Sequence, residues 1–536
     1  MTTPALDLAA TAALLDHAQQ LLDAATDNLA ARGGVDAEQS FAYDLAHACS
    51  AIATARTTLV YAAKGETEAR LTAAFTALAL SDWASRVIGR EDVWGFADDW
   101  FTPFKAFTKT YRDAKFLASL ATTPGPRHLG EEFQMVADTF HRFAELEVRP
   151  HAEHVHRTNG DVPNSIIQGL AEIGGFGLSV PEEFGGFATG GESDYLGMVI
   201  ATEELSWGGL GIGGSLITRP EILTRALVNG GTDAQKEKWL PQLATAETLA
   251  AVAVTEPDFG SDVASLTVTA TKTDGGWLVN GTKTWCTFGA RANVLMLLAR
   301  TDADRSKAHR GLSLFLVEKP IGDGHGFLFT QDAANEGRSD ANGRLEGRPI
   351  DTLGYRGMHS YELAFENWFV PDENLVGGEA GLGKGFYYQM AGFENGRIQT
   401  AARAVGLMQA AYEAALEYAQ NRKVFGEPII NYELTQVKLG TMAAIIQAAR
   451  QYSLEVAKLM AEGGGTLEAS MAKAYVCRAA EWVTREAMQI HGGMGYAEEY
   501  AVSRYFVDAR VLSIFEGADE TLCLKLIARR LLDNRA

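Results

Sequence analysis

The apolar period of this 536-residue chain changes twice, and that change constrains the fold more than any other feature. Before residue 250 apolar residues recur at helical spacing. Over 251–375 they alternate with polar residues, and from 376 onward helical spacing returns. A 3.6-residue period buries one stripe of a helix, and a period of two buries one face of a strand. Neither pattern can serve as the other. The expectation is an α+β multidomain chain: helices, then a small β-domain, then a helical bundle. Length agrees, because a chain this long exceeds one core and should divide into roughly three or four units.

Within that order, 1–120 reads as a helical N-terminal extension rich in Ala, Leu, Asp and Glu, with helical runs over 6–31, 36–63 and 66–88. Its aromatics Trp94, Phe96, Trp100, Phe101, Phe104 and Phe107 read as packing surface. Pro and Gly punctuate 121–127, so 121–130 is expected to be a linker. Helical patterns over 133–147, 163–173, 194–205, 220–229 and 233–243 make 131–250 a helical domain. In the β-domain, 251–375, Asp274-Gly275-Gly276 and Asn280-Gly281 are hairpin signals, and strands are expected over 293–300, 311–318 and 361–369. In 376–536, Val405, Met408, Tyr412, Ala415, Leu416 and Ala419 mark one helical face, which Gly426-Glu427-Pro428 should end. Three more helices are expected over 433–462, 467–492 and 519–532.

Charge narrows the function. The net charge of −21 repels nucleic acid and anionic membranes, so an anionic substrate needs a local basic pocket. Cys49, Cys286, Cys477 and Cys523 are scattered without metal-binding spacing, and read as buried thiols of a cytoplasmic protein. No metal site is expected. No signal peptide and no membrane-spanning apolar run is legible.

The chemistry gathers in short segments. Ile514-Phe515-Glu516-Gly517 puts a carboxylate between an aromatic residue and a glycine, just before an apolar helix. Burial there would raise a Glu pKa and make it a base near neutral pH. Alone, such a Glu is more often a solvated first-turn charge. Four other segments accompany it: Val254-Thr255-Glu256-Pro257 with Gly260-Ser261, Lys283-Thr284-Trp285-Cys286-Thr287, Arg422-Lys423-Val424-Phe425-Gly426, and Gln489-Ile490-His491-Gly492-Gly493. A Thr-Glu-Pro loop offers hydroxyls and backbone N–H groups. Trp285 offers a flat apolar face, and Arg422 a fork suited to phosphate.

Together and in this order, these segments resemble the acyl-CoA dehydrogenase family of flavoproteins over 128–536. The resemblance implies FAD as cofactor and an acyl-CoA thioester as substrate. It implies that Val254, Thr255, Ser261, Trp285 and Thr287 line the flavin ring. Arg422, Phe425, Gln436, Gln489, Gly492 and Gly493 would reach FAD held mainly by a neighbouring subunit, with Glu520 also among the FAD contacts. A homodimer sharing its FAD sites follows, with an electron-transfer flavoprotein as the expected acceptor. Glu394 and Arg397 match the segment that meets the pantetheine and thioester region, where Ser261 and Gly517 are also expected to touch substrate. Some members carry the base at the position of Gly396; here it is Glu516. After Glu516-Gly517 the family usually has Thr-Ser/Asn-Glu/Gln, and this chain departs with Ala518-Asp519-Glu520.

Within the family, the resemblance is greatest to the branch acting on methylsuccinyl-CoA, on the long extension, the variant after the base, and the segment 213–220. It implies oxidation of (2S)-methylsuccinyl-CoA to mesaconyl-CoA. A substrate with a free carboxylate needs a cationic or multiply donating partner, and Arg219, Thr218 and Ser215 are the candidates. For Arg219 the alternative is a surface charge at a helix end. Two other activities stay open: dehydrogenation of a short branched monocarboxyl acyl-CoA such as isobutyryl- or methylbutyryl-CoA, and a flavin-dependent acyl-CoA oxidase on the same fold.

Overall fold

A computed structural model describes residues 5–322 and 325–535. The first four residues of the extension and the last of the bundle lie outside the described residues. The chain divides into two compact units, one of Met1–Met135 with Arg397–Ala536 and the other of Val136–Gly396.

In the first unit the extension and the C-terminal bundle share one core. Three long helices, Leu8–Ala31, Gln39–Ala62 and Glu66–Val87, open the chain. The Asp7 carboxylate caps the first by accepting from Ala10 N at 2.9 Å. The aromatic cluster packs together: Trp83, Trp94 and Phe104 are fully buried, and the rings of Phe96, Trp100 and Phe104 pack around Trp83. The second and third extension helices pack on Glu433–Ala461 of the bundle, and the second also meets Thr466–His491. The short helix Ala114–Ala118 comes so near that a Cβ on Gly440 would lie 1.9 Å from the Leu117 carbonyl oxygen. Only glycine permits that approach.

The stretch after residue 121 has no regular structure, yet it is fastened. Tyr412 Oη donates to the Ala121 carbonyl, Gln447 Nε2 to that of Gly125, and Tyr61 Oη to that of Pro126. The bundle also holds a helix that sequence reading missed, Ala501–Leu512, directly before Glu516. The long helix Gly385–Asn421 stops before the Gly-Glu-Pro signal, because Lys423–Val424 and Glu427–Pro428 pair as a small ribbon.

The second unit is built on an eight-stranded sheet. Its strands are β1 (Ala250–Ala253), β2 (Thr269–Thr273), β3 (Gly276–Thr287), β4 (Val294–Arg300), β5 (Leu312–Glu318), β6 (Phe327–Gln331), β7 (Gly343–Ile350) and β8 (Ser360–Pro371). The order is β1-β4-β2-β3-β8-β7-β6, with β5 on β4. Asp274-Gly275 turns the β2–β3 hairpin as expected. Asn280-Gly281 does not turn the chain; it is a bulge inside β3, where Gly281 takes φ 125° and the register with β8 shifts. Asn280 instead brackets Asn367 of β8, accepting its N–H at 2.9 Å.

The apolar face of β4 and β5 (Val294, Met296, Leu298, Leu314, Leu316) packs against Ile222, Leu223 and Leu227 of helix Thr218–Gly230 and Leu240 and Leu243 of helix Asp233–Ala244. This contact fixes the helix that carries Arg219. No helix among the described residues is long and apolar enough to cross a membrane. All four cysteines are free and buried.

Candidate active site

Glu516 lies in the turn between helix Ala501–Leu512 and the short helix Asp519–Thr521. Two successive left-handed residues make that turn, Glu516 at φ 54° and Gly517 at φ 103°. At Gly517 a Cβ would also sit 3.0 Å from Leu522 Cδ2. A left-handed residue other than glycine costs about 1–2 kcal/mol and persists only where its surroundings over-determine it.

Those surroundings are polar. Thr400 Oγ1 donates to Glu516 Oε2 at 2.7 Å, and Arg403 Nη2 donates to Glu516 Oε1 at 2.8 Å. The Arg403 side chain is fully buried and the Glu516 side chain is 10% exposed. Arg403 also donates to Thr400 Oγ1 and lies over the Phe515 ring at 4.9 Å. From helix Thr466–His491 the buried Lys473 ammonium donates to the Gly517 carbonyl. Burial pushes that ammonium below its usual pKa, against the opposing pull of Cys477, Glu516 and Asp519. Sequence reading anticipated a buried carboxylate here. The structure confines Glu516 but sets it among donors. Thr400, Arg403 and Lys473 were missed, although Arg397, Thr400 and Arg403 recur every third residue on one helix, a spacing that keeps neighbours adjacent.

In the second unit, the Thr255-Glu256-Pro257 loop leaves β1 and is held by a buried ion pair. Glu256 accepts from Thr267 N at 2.7 Å, Thr267 Oγ1 at 2.6 Å, Val268 N at 2.9 Å and Lys283 Nζ at 2.9 Å. Lys283 Nζ donates as well to the Val254 carbonyl at 2.8 Å, and Thr284 N donates to the Thr255 carbonyl at 2.8 Å. Burial alone would raise the Glu256 carboxyl, but Lys283 and the Thr267 donors outweigh it and hold it down. Glu256 and Lys283 therefore fix the backbone of the predicted flavin loop, a role sequence reading did not assign. Lys283→Met should destabilise the protein by about 3 kcal/mol, the low end for breaking a buried pair, because Glu256 keeps three other donors. Chemical denaturation of the two proteins measures it.

The predicted ring contacts differ in exposure. Val254 is buried, Thr255 half-buried and Ser261 exposed. Thr287 is buried with its hydroxyl 3.1 Å from that of Ser360. Trp285 is 56% exposed and takes φ 57°. The predicted diphosphate contacts all fall in the first unit. Arg422, Gln489, Gly492, Gly493 and Glu520 are exposed, and Gln436 is half-buried. Phe425 is 95% exposed at φ 53°. Trp285, Phe425 and Glu516 each take a left-handed backbone, and the first two hold large apolar faces open to solvent. Strain of this kind gathers at ligand sites. An aromatic plane, hydroxyls, an exposed guanidinium and a glycine pair suit an isoalloxazine ring and a diphosphate, so these residues fit FAD.

Of the predicted substrate residues, Ser215 is fully buried after the turn Leu210–Gly214, and Arg219 is 6% exposed in the first turn of helix Thr218–Gly230. That burial rules out a surface charge at Arg219. Glu394 is half-buried and Arg397 buried on helix Gly385–Asn421. Between them Asn395 Nδ2 donates to the buried Glu221 carboxylate at 3.0 Å, which ties this segment to the Arg219 helix.

Comparison with known proteins identifies the family. Models of the N-terminal, middle and C-terminal domains of acyl-CoA dehydrogenases match residues 130–247, 251–368 and 383–532. The chain is 45% identical to (2S)-methylsuccinyl-CoA dehydrogenase of Cereibacter sphaeroides over 412 residues, 77% of this chain and 71% of that protein. It is 34% identical to mitochondrial isovaleryl-CoA dehydrogenase of Solanum tuberosum, over 71% of this chain and 85% of that one. Among solved structures it is similar to butyryl-CoA dehydrogenase of Megasphaera elsdenii, with a TM-score of 0.66 and 30% identity over 76% of this chain and 100% of that one. On these matches the chain belongs to the acyl-CoA dehydrogenase family of FAD-dependent oxidoreductases.

Proposed function

We propose that this protein oxidises (2S)-methylsuccinyl-CoA to mesaconyl-CoA, with Glu516 as the base. The observation that carries the reading is the shielded glutamate on the Phe-Glu-Gly turn, held by Thr400 and Arg403. Arg219, buried in its own helical domain, is the candidate partner for a substrate carboxylate. Similarity to the Cereibacter sphaeroides enzyme supports the choice of substrate.

Val254, Thr255, Ser261, Trp285 and Thr287 hold the flavin ring. Arg422, Phe425, Gln436, Gln489, Gly492, Gly493 and Glu520 hold the rest of FAD from the partner subunit. Bound FAD supplies the hydride acceptor. Thr400 and Arg403 hold the Glu516 carboxylate in place, and that carboxylate takes the α-proton. The Glu516 backbone N–H donates to the thioester oxygen as charge develops there, together with Gly517 at the substrate. Glu394, Arg397 and Ser261 position the thioester arm. Arg219, Ser215 and Thr218 receive the free carboxylate. A cation in the acyl region suits a dicarboxyl substrate, because a carboxylate leaving water needs a charged or multiply donating partner.

Electrons leave to an electron-transfer flavoprotein in the cytoplasm. The functional segments divide at 1–120, 121–130, 131–250, 251–375 and 376–536. Product analysis tests the assignment. Incubation with methylsuccinyl-CoA and an acceptor should yield a thioester lighter by two hydrogens, and an unchanged thioester would contradict it. Turnover with O₂ alone would mark an oxidase instead.

We infer that the extension, which packs on the bundle of its own chain, shields a surface that family members without it use to pair two dimers. The assembly should be a homodimer of about 116 kDa, twice the 57.8 kDa chain, since one partner is still needed for the shared FAD sites. Light scattering should give that mass. A mass of four chains would contradict the shielding role.

A further inference from the structure

The extension carries no flavin or substrate motif, yet two of its side chains reach the residue three positions after the base. Tyr43 Oη donates to Asp519 Oδ2 at 2.6 Å, and His47 Nε2 lies 3.0 Å from the same oxygen. Both come from helix Gln39–Ala62. Cys523 completes the cluster, with Sγ 3.5 Å from His47 Nε2 and 3.9 Å from Asp519 Oδ1. His47, Asp519 and Cys523 are buried.

The protonation states agree with a fixed anion between neutral donors. Burial would raise the Asp519 carboxyl, but the bonds from His47 and Tyr43 outweigh it and hold it down. Burial lowers His47, so its imidazole is neutral and gives Nε2–H. Burial raises the Tyr43 hydroxyl and the Cys523 thiol, which keep their protons.

Asp519 also closes the base-bearing turn: its N–H donates to the Ser513 carbonyl at 3.1 Å. Between these two residues lie Glu516 and Gly517, both left-handed. Lys473 holds the turn from one side, and Asp519 anchors its far end. The Ala518-Asp519-Glu520 departure from the family pattern thereby gains a physical reason: the carboxylate answers two donors that only a chain with this extension supplies.

We propose that Asp519 is a positioning residue for Glu516, and that Tyr43 and His47 make the N-terminal extension an internal brace of the catalytic turn. This rests on Glu516 being the base. Loss of the brace frees the turn to relax from its strained backbone, and the carboxylate drifts from the α-carbon while the thioester and FAD contacts stay in place.

The test uses full-length, FAD-loaded Tyr43→Phe, His47→Gln, Asp519→Asn and the double variant Tyr43→Phe/Asp519→Asn. Anaerobic flavin reduction by methylsuccinyl-CoA is followed against substrate concentration. The limiting rate should fall roughly tenfold to a hundredfold, the size expected for a small misplacement of a reacting group. FAD content and half-saturation should stay near those of the unmodified protein. The double variant should be no slower than Asp519→Asn, because both changes break one link. Variants that lose thermal stability but reduce flavin at the full limiting rate would overturn the brace, and the milder Tyr43→Phe keeps this outcome readable if Asp519→Asn folds poorly. His47, Asp519 and Cys523 are close enough to hold a metal ion. One equivalent of tightly bound metal, lost on His47→Gln, would replace the brace with a metal centre. Glu516→Gln separates the two readings. If it is inactive while Asp519→Asn is unaffected, only the brace fails; if it stays active, the base assignment fails.

Discussion

Glu516→Gln is expected to slow flavin reduction by roughly a thousandfold or more while leaving FAD and acyl-CoA binding in place. The amide is nearly isosteric. It keeps an oxygen to accept from Thr400 or Arg403, so the left-handed turn and its contacts should survive. What it cannot do is take the α-proton. Because the loss is confined to the chemical step, the limiting rate should fall with little change in half-saturation. Stopped-flow absorbance under anaerobic conditions measures both quantities. A variant that reduces its flavin near the original rate would move the base elsewhere and remove the catalytic meaning of the Phe515–Gly517 turn.

The second large effect is expected at Arg219. Arg219 is buried, as are Ser215 and Thr218. Arg219→Ala would leave a substrate carboxylate without its cation, a loss of about 3–5 kcal/mol when a buried pair is broken. That corresponds to roughly a hundredfold to a few thousandfold in kcat/KM for methylsuccinyl-CoA. Butyryl-CoA has no carboxylate to lose and should be affected far less. Arg219→Lys should recover part of the difference, since an ammonium restores charge without the bidentate fork. Equal losses on both substrates would make Arg219 a structural residue of helix Thr218–Gly230.

The sequence was legible wherever chemistry or period is local. The β2–β3 hairpin follows from Asp274-Gly275, and the fold class follows from the two changes of period. Asn280-Gly281 misled because the same dipeptide that makes a two-residue turn also makes a bulge. Only the pairing of Asn280 with Asn367, 87 residues away, decides between them. Helix Ala501–Leu512 was missed because its apolar residues are interrupted by Arg504 and Asp508, both buried in the fold. The shielded state of Glu516 was legible from Phe515 and Gly517, but its donors were not. Arg403 lies 113 residues from Glu516, and Lys473 lies 44 residues from Gly517. Contacts at such separations leave no trace in local pattern. The Tyr43–Asp519 bond spans 476 residues, so the departure at Asp519 was visible while its cause was not.

The most direct test of the account is anaerobic bleaching of the yellow, FAD-loaded protein by a small panel: methylsuccinyl-, succinyl-, glutaryl-, isobutyryl- and butyryl-CoA. Methylsuccinyl-CoA should bleach the flavin fastest and at the lowest concentration, because it alone pairs a branched short acyl chain with a carboxylate for Arg219. Faster bleaching by isobutyryl- or butyryl-CoA would contradict the dicarboxyl assignment, and a flavin left unbleached by every thioester would contradict acyl-CoA dehydrogenation itself.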